Sequence, residues 1–541
     1  MSKDLINVTI HRSDSDASTS STSLLPQYYD DSNDFNKERR NSLIDSEELP
    51  QGRHLGLYST IVLFLSRIMG SGIWAAPSNI YVGVGGNYTL YFILWFISTL
   101  IAFSGMYVYL ELGSIIPRSG GTKIFLEYIY QRPKMLITVV YGTFSLLFGL
   151  TMTNSIVFGK YILFSLGYDE EFVTNSKFVN HIALIMIFLI CFIHGLGLKY
   201  GIYIQNFLGF LKIFLIVVMS LTGIYVLIFP YSITGLNSNF NLDSTHFTTF
   251  KSQVDFNTIS SSFINCFFVF GGWNSVHTIS SEIKNPNKTL KIAGPISLTI
   301  AFFNFMLINF SYLKVLTHEE IVKSGPLIGS LLFEKIFGYK FGRQFLTISI
   351  ALSSFSNVFV VIYALARMDQ EILREGYLPF SEYLVQNNRV WKTPINCLIL
   401  VFSLNAFWLI ILPSNTAFNY ILGLEGFPSQ LFLLILVIGV FKLRKEIDFV
   451  PEIKSFTLGN ILMILTSIFI LISPLINHKP SIIPGLPSEH ITGISIILIL
   501  SLYWLIWFKI LPYWKGYKLE RIDKVLDDGL VIKKWIKEPL G

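Results

Sequence analysis

Two glycines and a serine interrupt the first long apolar run of this chain. They are Gly70, Ser71 and Gly72, and the run extends from about residue 57 to residue 80. A lipid-facing helix cannot leave backbone groups unpaired, so a broken helix at membrane depth must line a cavity or be buried in protein. A second interruption, at 270–275, contains two more glycines in a later apolar run. Paired interruptions of this kind indicate where a membrane protein binds a small molecule.

The composition is that of a helical membrane protein and excludes a soluble enzyme. Of the 541 residues, 52% are hydrophobic and 14% are charged, and the mean hydropathy is +0.55. The net charge of +6 does not indicate nucleic-acid binding, because the basic residues follow the loops. We see no nucleophile–base pair and no metal-ligand cluster, so we expect no enzyme activity, cofactor or metal. Three cysteines lie in apolar runs, which argues against a disulfide framework: Cys191, Cys266 and Cys397.

We predict about twelve membrane-spanning helices, each near the length of about twenty apolar residues that a bilayer requires. Together they form one membrane domain at 53–513, between a tail at 1–52 and a tail at 514–541. The predicted limits of the spans are 57–80, 89–116, 135–166, 181–198, 203–229, 258–281, 292–315, 343–368, 395–412, 416–441, 456–476 and 491–511.

The basic residues of the loops predict the orientation. Loops 2–3, 6–7, 8–9 and 10–11 are rich in Lys and Arg, whereas loops 1–2 and 9–10 have none. The longer loop 7–8 is an exception, with Lys323, Lys335 and Lys340. Because long loops follow the positive-inside rule less strictly, this exception does not change the predicted orientation. We expect both termini in the cytoplasm.

The two tails differ in composition. Residues 1–52 are rich in Ser, Thr, Asp and Asn, so we predict a disordered segment that cannot bury enough apolar surface to fold. It is either a plain solvated tail or a regulatory one, with Lys3 and Lys37 as ubiquitin acceptors for a ligase adaptor. For 514–541, which is mixed in charge, we predict a cytoplasmic tail with one helix.

The two interruptions offer complementary chemistry to a zwitterion. An unwound turn exposes N–H groups and the positive end of a half-helix, which suit a carboxylate. The amides around Gly70, Ser71 and Gly72 fit that role. Unpaired carbonyls at the second interruption suit an ammonium group: Phe268, Val269 and Phe270. The alternative is that the glycines only permit close helix packing; two interruptions in corresponding spans favour the binding site.

Four motifs in this order resemble those of the amino acid–polyamine–organocation superfamily. The last two resemble its L-type amino acid transporter branch, and the resemblance covers about residues 55 to 455. Within that branch, the chain most resembles fungal methionine permeases of the low-affinity type. The features that carry this resemblance are the polar amino-terminal tail and the residues at 66–67 and 74–77. The motifs are Gly70-Ser71-Gly72-Ile73, then Glu111-Leu112-Gly113 with Ile116-Pro117-Arg118-Ser119-Gly120-Gly121, then Gly271-Gly272-Trp273-Asn274 with Glu282-Ile283-Lys284-Asn285-Pro286, and Arg374-Glu375-Gly376-Tyr377-Leu378-Pro379.

The resemblance implies an all-α LeuT-like fold. Spans 1–5 and 6–10 would form two inverted repeats, with spans 11 and 12 appended, and an amino acid would bind at midplane. Ser71 and Gly72 would hold the carboxylate of the amino acid, and Phe268 would be the aromatic gate over the bound substrate. Trp273 and Asn274 would shape the side-chain pocket, although for Trp273 simple packing between helices is nearly as good an interpretation.

Ionisable groups within spans are costly, so each is a functional hypothesis. Lys212 lies too deep in span 5 to reach an interface easily, and its ammonium group can neutralise carbonyls freed by a broken helix. The resemblance implies that it bridges spans 1 and 8 in place of a sodium ion, so we predict sodium-independent transport. The span 8 groups that could meet it are Ser353, Ser354, Ser356 and Asn357.

Of three further charged residues, two allow two interpretations each. Glu111 is either an interfacial ion pair or a proton relay. Glu425, where the L-type branch usually has a neutral residue, either carries a proton or is exposed to water near a bend. The third, Arg67, lies one turn before the first interruption and is expected to pair with a carboxylate on the cytoplasmic side as a gate.

The resemblance implies uptake of a neutral L-amino acid, methionine above all, across the plasma membrane. Because the fungal relatives work against a concentration gradient and Lys212 replaces sodium, we predict that this uptake is sodium-independent and coupled to protons. Animal transporters of the L-type branch that pair with a heavy glycoprotein use a cysteine in loop 3–4. Residues 167–180 contain none, so no disulfide-linked heavy subunit is expected. The alternatives are a permease for another amino acid or a polyamine, and a non-transporting nutrient receptor. A polyamine would require carboxylates, which spans 1 and 6 lack near their interruptions.

Overall fold

Ten helices in the described part of the computed structural model are long and apolar enough to cross a membrane. Two shorter apolar helices, Phe256–Val269 and Ile395–Ile411, complete the predicted set of twelve. The prediction of an all-α, multi-span membrane protein is therefore confirmed. The structure describes residues 52–70, 72–229, 233, 235, 249–411, 414–446, 451–476, 487–527 and 529–539. Ser71 and nearly all of the predicted amino-terminal tail, with Lys3 and Lys37, lie outside them.

Spans 1, 3 and 6 consist of more than one piece, and the other nine are single helices. Span 1 is Leu57–Ile68, Gly72–Ala75 and Pro77–Gly83, span 3 is Leu136–Phe148 and Met152–Ser165, and span 6 is Phe256–Val269 followed by the 3₁₀ segment Ser275–Glu282. The single helices, in chain order, are span 2 Tyr88–Ile115, span 4 Phe178–Leu196, span 5 Leu198–Ile228, span 7 Pro286–Val315, span 8 Thr347–Leu373, span 9 Ile395–Ile411, span 10 Ser414–Glu446, span 11 Thr457–Ile476 and span 12 Glu489–Leu505.

Shorter helices lie in the links between spans. The link from span 7 to span 8 has two α-helices and a π-helix, which agrees with its exceptional length. These linking helices are Thr122–Ile129 after span 2, Glu170–Asn175 after span 3, His318–Ser324, Ile328–Gly338 and Tyr339–Leu346 after span 7, Ser381–Leu384 after span 8, and Ile506–Ile510 and Leu511–Lys515 after span 12.

Small residues bring the spans into close contact. Span 7 packs against spans 1 and 5, and span 8 packs against spans 3 and 5. The backbone N–H of Gly223 in span 5 donates to Ser311 Oγ of span 7 at 3.0 Å, and a Cβ at Gly223 would lie 2.7 Å from Ser311 Cα. Such contacts suit a bundle in lipid, where close van der Waals packing replaces the hydrophobic effect between helices.

One end of the bundle carries the basic loops, and we call it the basic end. Three buried ion pairs join its spans and loops: Arg444–Glu111 at 2.6 Å, Arg367–Glu282 at 2.8 Å and Lys123–Glu375 at 3.1 Å. Glu111 also accepts the backbone N–H of Ser455 at 2.8 Å. Of the two interpretations of Glu111, this geometry is that of the ion pair.

The carboxyl-terminal segment differs from its prediction. Instead of a tail with a helix, most of it forms an antiparallel hairpin, β1 Tyr517–Val525 and β2 Val531–Pro539. The backbone N–H of Lys533 donates to Arg374 O at 2.7 Å, and Trp535 Nε1 donates to Glu375 O at 2.8 Å. The expected helix is wrong because this segment pairs as strands and docks on the loop after span 8.

Candidate functional site

The helix of span 1 stops at Ile68 and resumes at Gly72. Met69 still donates its N–H to Leu65 O at 2.8 Å, but Gly70 donates to Ile68 O at 2.9 Å instead of continuing the α-helical pattern. The first N–H groups of the resumed helix have no partner within their own helix, as at any helix start. The break therefore presents an amide donor at Gly72, whereas the N–H of Gly70, also predicted as a donor, is occupied by Ile68 O.

Two side chains from other spans bind the carbonyls that the break in span 1 frees. Lys212 Nζ donates to Ser66 O at 2.9 Å. Asn357 Nδ2 of span 8 donates to the same carbonyl at 2.8 Å and to Arg67 O at 2.9 Å. Both side chains are buried. The end of the first helix piece is thus anchored by one ammonium and one amide group, which link spans 5, 1 and 8.

The hydroxyl groups considered for Lys212 have no such contact. Within the described residues, the Oγ atoms of Ser353, Ser354 and Ser356 are buried and have no hydrogen-bond partner. The span 8 group that meets the freed carbonyls with Lys212 is Asn357.

The break in span 6 is closed mainly by its own backbone. Gly271 donates its N–H to Phe268 O at 3.0 Å, and Ser275 donates to Gly272 O at 3.1 Å. Gly272 has φ of +107°, which is strained for a residue with a Cβ. No backbone N–H among the described residues donates to the carbonyls of Val269 or Phe270. Two of the three predicted carbonyl acceptors, those of Val269 and Phe270, therefore lack a backbone donor among the described residues. The carbonyl of Phe268 already accepts the N–H of Gly271.

The two breaks are in direct contact through their glycines. A Cβ on Gly72 would lie 3.2 Å from Val269 Cγ2 and 3.3 Å from Val269 Cα. A Cβ on Gly272 would lie 2.7 Å from Arg67 Cγ and 3.1 Å from Arg67 O. Each glycine thus makes room for the other span, so close packing and the exposure of backbone groups occur at the same place.

A cavity of about 420 Å³ opens beside these breaks, with walls from spans 1, 2, 3, 6, 8 and 10. Its size is that of a small-molecule site. The structure brings nine of the predicted site residues to this cavity: Arg67, Gly70, Gly72, Phe268, Val269, Trp273, Asn274, Asn357 and Glu425.

The remaining predicted residues lie elsewhere or behind the wall. Lys212 reaches span 1 from outside the cavity lining, and Glu111 is held by Arg444 at the basic end. The side chain of Phe270 packs against Trp95 and Phe305, so only its backbone belongs to the break. Ser353 and Ser354 do not line the cavity either.

Aromatic rings form two walls of the cavity. The Phe268 ring approaches span 10, where a Cβ on Gly426 would lie 3.1 Å from its Cζ. Trp273 makes an edge contact with Tyr109 at 5.3 Å between ring centroids, and Gly105 leaves the space for its ring. Trp273 is therefore both a packing residue and a lining residue.

Two charged side chains line the described cavity, Arg67 and Glu425. They belong to spans 1 and 10 and interact electrostatically. Span 10 thus brings a carboxylate to a site for which spans 1 and 6 offer none. Arg67 balances this carboxylate, so the described lining of the cavity has no surplus of negative charge.

The break in span 3 is the feature that the sequence analysis missed. Span 3 unwinds between Phe148 and Met152, and Asn405 Oδ1 of span 9 accepts the N–H of Thr151 at 2.9 Å and its hydroxyl at 3.1 Å. Asn154, on the next turn, lines the cavity beside Gly70. The available signal was the glycine at 149 and an asparagine within the apolar run of span 9.

Comparisons with known proteins agree with this architecture. The model of the family described as "Amino acid permease" matches residues 55–506. The chain is 44% identical to the "Low-affinity methionine permease" of Saccharomyces cerevisiae, over 91% of this chain and 89% of that protein. It is 28% identical to the "High-affinity methionine permease" of the same yeast, over 91% and 88%. It is 25% identical to the human "Large neutral amino acids transporter small subunit 2", over 84% and 81%.

Proposed function

Because this chain belongs to the amino acid permease family, we propose that it carries a neutral L-amino acid, methionine above all, across the plasma membrane. The family membership makes it a transporter rather than an enzyme. The substrate proposal is supported by the printed function of the two yeast relatives, which are methionine permeases.

The observation that carries the proposal is the contact of two broken spans beside one cavity. The amino acid carboxylate would accept hydrogen bonds from the backbone N–H groups of Ser71 and Gly72, where the half-helix also favours negative charge. The ammonium group would donate to the carbonyls of Val269 and Phe270. The side chain would lie between Phe268, Trp273 and Asn274, a wall without a charged group.

Sodium-independent transport is supported by Lys212. In a site that used sodium, a cation would neutralise the carbonyls at the break. Here the buried ammonium group of Lys212, 2.9 Å from Ser66 O, already supplies that positive charge. Asn357 Nδ2 is a further donor, and it forms hydrogen bonds with the carbonyls of Ser66 and Arg67.

Accumulation against a gradient then requires another driving ion, and we propose the proton. The basic end faces the cytoplasm in this proposal, because its loops carry most of the basic residues. The amino-terminal tail would offer Lys3 and Lys37 to a ubiquitin ligase adaptor. No disulfide-linked heavy subunit is required, since the loop at 167–180 contains no cysteine.

Uptake of labelled L-methionine in a yeast strain that lacks its own methionine permeases tests the proposal. We expect saturable uptake that is faster at acidic external pH and unchanged when choline replaces sodium. Unlabelled methionine should compete strongly, leucine weakly, and spermidine and lysine not at all. Absence of flux in cells that display the protein at their surface would favour a non-transporting receptor and refute the proposal.

A further inference from the structure

Arg67 is connected to both broken spans as well as to the cavity. Its own carbonyl, in span 1, accepts Asn357 Nδ2 at 2.9 Å. Its Nε donates to Ser275 Oγ at 3.1 Å, at the start of the 3₁₀ segment of span 6. Its side chain lies across Gly272, where even a methyl group would collide with it. A force on this guanidinium group therefore acts on both breaks at once.

Glu425 is the carboxylate that faces Arg67 across the cavity. Both residues line the cavity and interact electrostatically, yet no contact within salt-bridge distance joins them. Ser429 Oγ donates to the backbone carbonyl of Glu425 at 2.7 Å, not to the carboxylate. Within the described residues, no protein group donates to the carboxylate oxygens of Glu425. These oxygens are thus available to a proton, to water or to Arg67.

The other titratable groups around Glu425 are few. Tyr109 of span 2 and Tyr141 of span 3 line the same cavity, and Lys212 lies behind Arg67. Span 12 packs against the outer part of span 10, with Glu489 at Gly423 and the ring of His490 5.4 Å from that of Phe427. Glu489 and His490 do not line the cavity. Arg67 is therefore the charged residue that Glu425 meets there.

We propose that Glu425 carries the coupled proton and that Arg67 senses whether it is bound. With Glu425 ionised, the pair is neutral in sum and attracts across a poorly solvated cavity. When a proton from the outer solution binds a carboxylate oxygen, that attraction ends, and Arg67 keeps its hydrogen bonds with Ser275 and Asn357. The proton later leaves to water on the inner side, and the ionised carboxylate attracts Arg67 again.

The two protonation states would thus favour two arrangements of the breaks. A proton shifts an equilibrium between conformations only as far as its binding differs between them, and the pairing with Arg67 supplies that difference. A zwitterion adds no net charge, so the net charge of the Arg67–Glu425 pair changes only when the proton binds or leaves. This inference rests on the proposed transport of a neutral amino acid.

Purified protein in liposomes can test the proposed transport of methionine separately from the proposed proton role of Glu425. Counterflow, the exchange of labelled for unlabelled methionine at equal pH, needs no net proton movement. Uphill uptake driven by an acidic exterior needs the coupled proton, which a trapped pH dye reports. We expect the wild type to do both. Glu425→Gln should keep exchanging at a reduced rate, but it should lose uphill uptake and the methionine-dependent dye signal.

Matched variants make the result decisive. Glu489→Gln, which removes a carboxylate beside the same span but outside the cavity, should retain both activities. Methionine-dependent acidification by Glu425→Gln would overturn the inference. If this variant loses exchange as well, Glu425→Asp decides: restored uphill uptake supports the proton role, and failure in a protein that melts like the wild type refutes it. Absence of exchange in the wild type would instead refute the proposed function.

Discussion

The breaks in spans 1 and 6 occupy corresponding places in the two halves of the molecule, but they are stabilised in different ways. In span 1, the freed carbonyls of Ser66 and Arg67 are bound by Lys212 and Asn357 from spans 5 and 8. In span 6, the turn closes on itself through backbone bonds, which Gly272 permits with its φ of +107°. One break depends on side chains far away in the sequence, and the other depends on local backbone geometry.

This difference divides the chemistry between the halves. Because Lys212 and Asn357 occupy the carbonyls in span 1, that break offers its N–H groups to a ligand. In span 6, Arg67 donates to the Ser275 hydroxyl and not to a carbonyl of the turn, and no backbone N–H among the described residues donates to the carbonyls of Val269 and Phe270. In the proposed site, a zwitterion would therefore place its carboxylate at the span 1 break and its ammonium group at the span 6 break.

The largest expected effect comes from removing the ammonium group at the first break. Lys212→Met keeps much of the side-chain volume but leaves the Ser66 carbonyl without its charged donor. A hydrogen bond to a charged group contributes about 1.5–3 kcal/mol, so methionine uptake should fall about 10- to 100-fold. Initial uptake rates, corrected for surface protein, measure this. Lys288→Met, at an exposed lysine, is the control, and normal uptake by Lys212→Met would contradict the anchoring role.

The second break should be most sensitive to its backbone. Gly272→Ala places a methyl group 2.7 Å from Arg67 Cγ and forces a residue with a Cβ to adopt positive φ. Such strain costs roughly 1–3 kcal/mol, so we expect uptake to fall about 5- to 50-fold. The control is Gly195→Ala, whose Cβ would lie 3.9 Å from the nearest atom. If both variants transport equally well, the turn of span 6 does not need its glycine.

Asn357→Ala should have an intermediate effect. It removes two hydrogen bonds to span 1 but leaves the ammonium group of Lys212 on Ser66 O. Since a neutral hydrogen bond contributes about 0.5–1.5 kcal/mol, uptake should fall about 5- to 20-fold. Combined with Lys212→Met, the loss should be less than the product of the single losses, because both side chains bind the same carbonyl. Strict additivity in this double-mutant cycle would show that the two anchors act independently.

The breaks of spans 1 and 6 could be predicted from the sequence, because glycines within an apolar run indicate locally where a helix is interrupted. It also identified Lys212, because a cation at membrane depth requires a partner. The break in span 3 was missed because Asn405, which binds it, is about 250 residues away, and no local pattern connects the two. The carboxyl-terminal hairpin was missed because short amphipathic segments allow either helix or strand, and contacts with Arg374 and Glu375 come from the fold.

The smallest expected effect concerns the hydroxyl groups of span 8 near the anchor of span 1. Ser353, Ser354 and Ser356 are predicted with Asn357 as groups that could meet Lys212, whereas in this structure the three Oγ atoms have no hydrogen-bond partner within the described residues. Removing a hydroxyl that makes no bond leaves no partner unsatisfied, so Ser354→Ala should change uptake less than about 2-fold. Asn357→Ala, three residues further along span 8, is the positive control. A loss with Ser354→Ala as large as that with Asn357→Ala would mean that the hydroxyl contacts Lys212 in another state of the transport cycle. The anchor of span 1 would then change partners as the cavity changes sides, while the backbone turn of span 6 would have no equivalent exchange to make.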